Sequence, residues 1–165
     1  MIYSTRRRLL LGGSVAMIAT TGAALVFKPF GNGFVELAPA PVFAPDGVAI
    51  RGYDPVAYFT EGRPVAGDMA NEMSWNGAVW RFSSAENRDK FQSNPDTYAP
   101  KYGGFCAWAV AAKGKLYSTQ PSTWTVVDGK LYLNFSDGIQ ARWTKNIPGF
   151  IEEADRRWPG IIENV

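Results

Sequence analysis

One cysteine, four methionines and no histidine set the chemistry open to this chain of 165 residues. Without imidazole there is no Ser-His-Asp or Cys-His catalysis, no His-ligated metal, and no unperturbed side chain titrating near neutrality. A single cysteine excludes an internal disulfide and the zinc sites built from several cysteines or from cysteines with histidines. What is left is one soft nucleophile, Cys106, in the run Lys101-Tyr102-Gly103-Gly104-Phe105-Cys106-Ala107-Trp108. Gly103 and Gly104 let the backbone turn sharply or approach a neighbour closely. The small apolar stretch after them, ended by Gly114, predicts a short helix with Cys106 in its first turn. The positive end of a helix favours a thiolate, whereas burial among Tyr102, Phe105 and Trp108 disfavours one. Two readings therefore stand: a reactive or metal-binding thiol, and a small cysteine filling the core.

Soft thiolate and thioether ligands select Cu(I), and the sequence offers Cys106 together with Met69 and Met73. Both methionines serve equally well as gap-fillers beside a hairpin. Glu152, Glu153 and Asp155 lie with Arg156 and Arg157 on an amphipathic helix, where a solvated charged face explains them. Asp54, between Tyr53 and Pro55, is expected either to fix a turn or to face a pocket shared with Cys106. The chain is rich in aromatic residues, and if Tyr53, Tyr102 and Trp108 converge beside Cys106 and the two glycines they line a pocket for a small ligand. No GxGxxG or P-loop spacing is present.

Two hairpins position this chemistry. Met73-Ser74-Trp75 and Ala78 to Phe82 flank Asn76-Gly77, and Thr123 to Val127 and Lys130 to Phe135 flank Asp128-Gly129. Both turn dipeptides suit a two-residue connection that needs positive φ at both positions. Ser83-Ser84-Ala85-Glu86 then opens a helix to about Gln92, and Ser136 precedes one to about Lys145. This is a weak hairpin-plus-helix repeat, read as shared geometry rather than duplication. A last helix spans Phe150 to Arg157, stopped by Pro159-Gly160. Strands and helices mixed in this way predict an α+β fold.

The N-terminus reads differently. Arg6-Arg7-Arg8 ahead of Leu9-Leu10-Leu11 and an apolar run to Phe27 form an export signal of the twin-arginine type, read by the twin-arginine translocase. If uncleaved, residues 9–27 are just long enough to anchor the chain in the cytoplasmic membrane. Residues 28–47, rich in Pro and Gly, are expected as an extended tether, and residues 48–165 as one folded domain in or facing the periplasm. The leader also explains the charge: from residue 29 onward 13 basic residues face 15 acidic ones. The domain carries no basic stripe, and nucleic acid is not an expected partner.

Val48 to Phe59, Trp75 to Arg88, Asn94 to Tyr98 and Tyr102 to Ala107 together resemble the exported bacterial branch of the YHS-domain proteins, over essentially the whole domain to Trp158. Some members of that branch carry selenocysteine at the position matching Cys106, so the resemblance implies redox or soft-metal chemistry there. Metal-handling YHS domains place cysteines where this chain has Asp54, Ser83 and Asn87. Their zinc or copper is therefore not implied here, and the histidine of the family's name is absent. The expected function is a thiol-redox, soft-metal or small-ligand binding module centred on Cys106. Its alternative is a non-catalytic periplasmic module with Cys106 buried.

Overall fold

The computed structural model describes residues 29–30 and 34–163; the leader lies outside them. A short pair, β1 (Pro29–Phe30) with β2 (Phe34–Val35), precedes two units of like construction. The first begins with a left-handed turn at Ile50-Arg51-Gly52 and the short helix α1 (Ala57–Thr60). Its hairpin follows, β3 (Asp68–Trp75) with β4 (Ala78–Phe82), joined by Asn76 and Gly77 at φ 48° and 79°. Ser84 then accepts the Asn87 N–H at 3.1 Å and opens α2 (Ala85–Ser93), and Asn94 leads into α3 (Pro95–Tyr98). The capping-box spacing of Ser83 with Glu86 places the cap one residue too early: the cap is Ser84, and Ser83 is drawn away to Asp54.

The second unit begins with a left-handed turn at Tyr102-Gly103-Gly104, followed by α4 (Ala107–Lys113). Its hairpin is β5 (Trp124–Val127) with β6 (Lys130–Leu133), and its connecting residues Asp128 and Gly129 have φ 48° and 69°. Ser136 accepts the Ile139 N–H at 3.4 Å and opens α5 (Asp137–Trp143), and Asn146 leads into α6 (Ile147–Ile162). The fold is α+β, two antiparallel hairpins each followed by a helix, with a C-terminal helix.

The likeness between units is wider than a hairpin and a helix. Gly52 and Gly104, Gly62 and Gly114, Gly77 and Gly129, Ser84 and Ser136, and Asn94 and Asn146 are each 52 residues apart and do the same work. The glycine pairs hold φ of 78° and 82°, 64° and 63°, and 79° and 69°. Asn94 and Asn146 share an unusual backbone, φ/ψ −152°/75° and −157°/63°. Hydrogen bonds keep the offset too: Asp54 N–H donates to Val65 O at 2.9 Å, and Cys106 N–H to Tyr117 O at 3.1 Å. A constant offset over this length gives the halves one structural plan, which widens the shared geometry read from the sequence.

Two further expectations change. α6 runs through Pro159, because Phe150, Trp158 and Ile161 pack on the core and outweigh the helix bond that proline removes. Much of the expected tether is docked. Leu37 N–H donates to Leu116 O at 2.8 Å, Phe43 N–H to Gly103 O at 2.8 Å, and Val42 and Phe43 are buried. These two apolar side chains drive a strap of extended chain onto the domain, and its described contacts with the domain begin at Glu36 rather than at 48. The core gathers Trp80, Phe82 and Phe91 in the first unit and Phe105, Tyr132 and Trp143 in the second. Among the described residues no helix is long and apolar enough to cross a membrane.

Candidate functional site

Cys106 caps α4 from the position just before it rather than lying in its first turn. Its side chain is fully buried with Ala109, Tyr117 and Ile139. The thiol donates to Asn134 Oδ1 at 3.6 Å, and the backbone N–H groups of Ala109, Phe135 and Trp108 lie close enough to favour a negative sulfur. Burial pushes the thiol pKa up to about 11, against the opposing pull of those N–H groups. At neutral pH Cys106 is a protonated thiol, poor as nucleophile and as metal ligand. Cys106 is packed as a core cysteine is, one of the two readings left open by the sequence.

Asn134 is the hub beside it. Its Oδ1 also accepts the Trp108 N–H at 3.1 Å, and its Nδ2 donates to Gln140 Oε1 at 2.7 Å. Gln140 Nε2 in turn donates to Trp124 O at 3.2 Å, which ties α5 to β5. Sequence reasoning passed over Asn134, although a polar residue ending the apolar strand Leu131-Tyr132-Leu133 was the available signal.

Asp54 is equally buried and far better supplied. Oδ1 accepts from the N–H of Val56 at 2.8 Å and of Ala57 at 3.3 Å. Oδ2 accepts from Ser83 N–H at 2.8 Å, Ser83 Oγ at 2.6 Å and Asn87 Nδ2 at 2.7 Å. The carboxylate thus fixes the turn before α1 and clamps it to the end of the first hairpin, the first of its two expected roles. Neither Asp54 nor Cys106 lines the groove described next, so each is the centre of its own unit.

The other predicted residues scatter. Met69 is 70% exposed on β3, while Met73 packs against the first core cluster. The two thioethers and the thiol therefore lie in three different surroundings. Among the described residues no group of three His, Cys, Asp or Glu is placed to hold a metal. Tyr53 is half-buried and bridges to Ala66. Trp108 is half-buried, with the Lys113 and Arg142 cations 5.9 and 5.6 Å from its ring centroid. Gly103 and Gly104 are needed for close approach: a Cβ on Gly104 would stand 2.6 Å from Ile50 Cγ2, and one on Gly103 would strike Pro41 O.

Tyr102 and Gly103 do reach a groove. It lies at the seam between the units, holds about 420 Å³, and is lined by Trp75, Trp80, Tyr102, Trp158, Lys101 and Lys130 among others. Trp75 meets Trp80 edge-on at 5.6 Å, and Tyr102 lies 5.7 Å from Trp158. Lys101 Nζ is 3.3 Å from Asp155 Oδ1, and Lys130 Nζ donates to Asp96 O at 2.9 Å. The Tyr102 hydroxyl donates to Asp155 Oδ1 at 3.0 Å; burial, and then that bond, push its pKa well up and keep it neutral. An aromatic wall with two ammonium groups at its rim can stack a planar group and meet a negative charge. No protein-family model, curated protein or solved structure matches this chain.

Proposed function

We propose that the chain is an exported, non-catalytic binding module of the YHS type, in which Cys106 is a structural thiol and the seam groove is the binding face. The observation that carries this reading is the complete burial of Cys106. Support for the YHS resemblance comes from Asp54, Ser83 and Asn87. These are the positions matched to the cysteines of metal-handling relatives, and they hydrogen-bond to one another. Carboxylate, hydroxyl and amide occupy one clustered position and satisfy one another there. The arginine-rich leader supports export through the twin-arginine translocase, to the periplasm or to its membrane face.

The groove suits a small planar anion, with rings against Trp75 and Trp158 and the charge towards Lys101 and Lys130. An aromatic sulfonate, 8-anilinonaphthalene-1-sulfonate, is a probe of that chemistry. Saturable binding to the native chain is expected, weakened several-fold in Lys130→Glu and unchanged in Cys106→Ser. Binding that follows Cys106 and ignores Lys130 would return the function to the thiol.

A further inference from the structure

The two units differ at one edge. In the second unit the run Lys115–Ser118 turns its inner side to the domain through the Cys106 N–H bond to Tyr117 O. Its outer side is closed by the chain's own strap: Leu37 N–H donates to Leu116 O at 2.8 Å, and Glu36 bridges Tyr117 in antiparallel register. Glu36 Oε2 completes the contact 2.6 Å from Lys115 Nζ.

The counterpart in the first unit, 52 residues earlier, is Arg63-Pro64-Val65-Ala66. Its inner side is held in the same way, by Asp54 N–H on Val65 O at 2.9 Å and Gly67 N–H on Gly52 O at 2.8 Å, with Ala66 bridged to Tyr53. Peptide groups alternate sides along an extended strand, so Pro64 O and the Ala66 N–H face outward. Ala66 is exposed, and among the described residues no strand pairs with this outer side. Arg63 stands where Lys115 stands, with its side chain 63% exposed and paired only locally with Glu61. The second unit therefore displays, within the same molecule, what such an edge accepts: an extended segment with a glutamate opposite the cation and an aliphatic residue after it.

We propose that the Arg63–Ala66 edge is a docking site for an extended peptide of a partner protein, an acidic residue followed by an aliphatic one, added as a strand. The partner's aliphatic residue donates its N–H to Pro64 O, the Ala66 N–H donates to a partner carbonyl, and the acidic side chain meets Arg63. Proline at 64 supplies no N–H, so the pairing is short and the affinity modest, with Kd on the order of 0.1 mM. This site is independent of the seam groove and of Cys106.

The test uses the isotope-labelled full chain and the acetylated, amidated octapeptide Gly-Phe-Val-Glu-Leu-Ala-Pro-Ala, the sequence of residues 33–40. Saturable shifts of the Ala66 and Val65 amides are expected, weakened at least tenfold in both Arg63→Ala and Arg63→Glu and unaltered in Lys115→Glu. A peptide with lysine in place of glutamate is expected to prefer Arg63→Glu. No shift at Ala66 at millimolar peptide overturns the proposal. So does binding that moves Leu116 and Tyr117 and is lost in Lys115→Glu, since the peptide would then be displacing the strap. Ala66 shifts that follow protein concentration without peptide overturn it too, because the edge would be covered by a second copy.

Discussion

Asp54 in the first unit and Cys106 in the second stand 52 residues apart, each just ahead of a short helix and against the end of a hairpin. The same backbone surrounds both. Val56, Ala57 and Ser83 donate N–H groups to the carboxylate, while those of Trp108, Ala109 and Phe135, their counterparts, act on the sulfur only by favouring its charged form. In the first unit these donors meet an acceptor with two oxygens, and Ser83 Oγ and Asn87 Nδ2 add to them. In the second they face a weak acceptor: the Trp108 N–H goes to Asn134 Oδ1, and the thiol stays protonated and donates to that same oxygen. The backbone thus supplies the cradle, and the occupant decides how much polar binding it returns. A cradle of N–H groups around a cysteine is not by itself a sign of a thiolate, because burial opposes it and here prevails.

That contrast can be broken from either side. Asp54→Ala leaves the donors on Val56, Ser83 and Asn87 buried without an acceptor, and is expected to cost about 3–5 kcal/mol in chemical denaturation. A loss below about 1 kcal/mol would show that the carboxylate clamp is not holding the unit together. The pH dependence comes next. The folded-state pKa of Cys106 lies above its ordinary value, so its contribution is fully present below about pH 9 and is lost as pH rises through about 11. A shift of that size corresponds to about 2–3 kcal/mol, and Cys106→Ser is expected to flatten the fall in stability between pH 9 and 11. Tyr132, pushed up to about 12 chiefly by burial, extends the decline at higher pH in both proteins. The smallest effect is that of Cys106→Ser at pH 7, about 1–2 kcal/mol, because the hydroxyl keeps the contact with Asn134 and loses only the fit of the larger sulfur.

The sequence made the punctuation legible. Asn76-Gly77 and Asp128-Gly129 demand positive φ at both residues, Ser136 caps a helix, and Gly114 ends one, each a local requirement. What depended on distant neighbours was hidden. The sign of the Cys106 shift is set by burial with Tyr117 and Ile139 beside the Asn134 hub, none of which adjoins it in sequence. The strap carries no helix or strand period, since its docking rests on Val42, Phe43 and a few backbone bonds. The repeat was masked because the units share mainly glycines and caps, while core positions exchange identity: Ile50 for Tyr102, Phe91 for Trp143. Packing tolerates such exchanges, but left-handed φ and helix caps do not.

Alkylation of the native full chain by iodoacetamide at pH 8, read by intact mass against a denatured control, bears most directly on the structural role of Cys106. The geometry predicts that the native thiol stays unmodified over hours while the denatured chain is labelled within minutes. Native labelling at the rate of a free cysteine would contradict it, and would place a reactive thiol at the centre of the second unit.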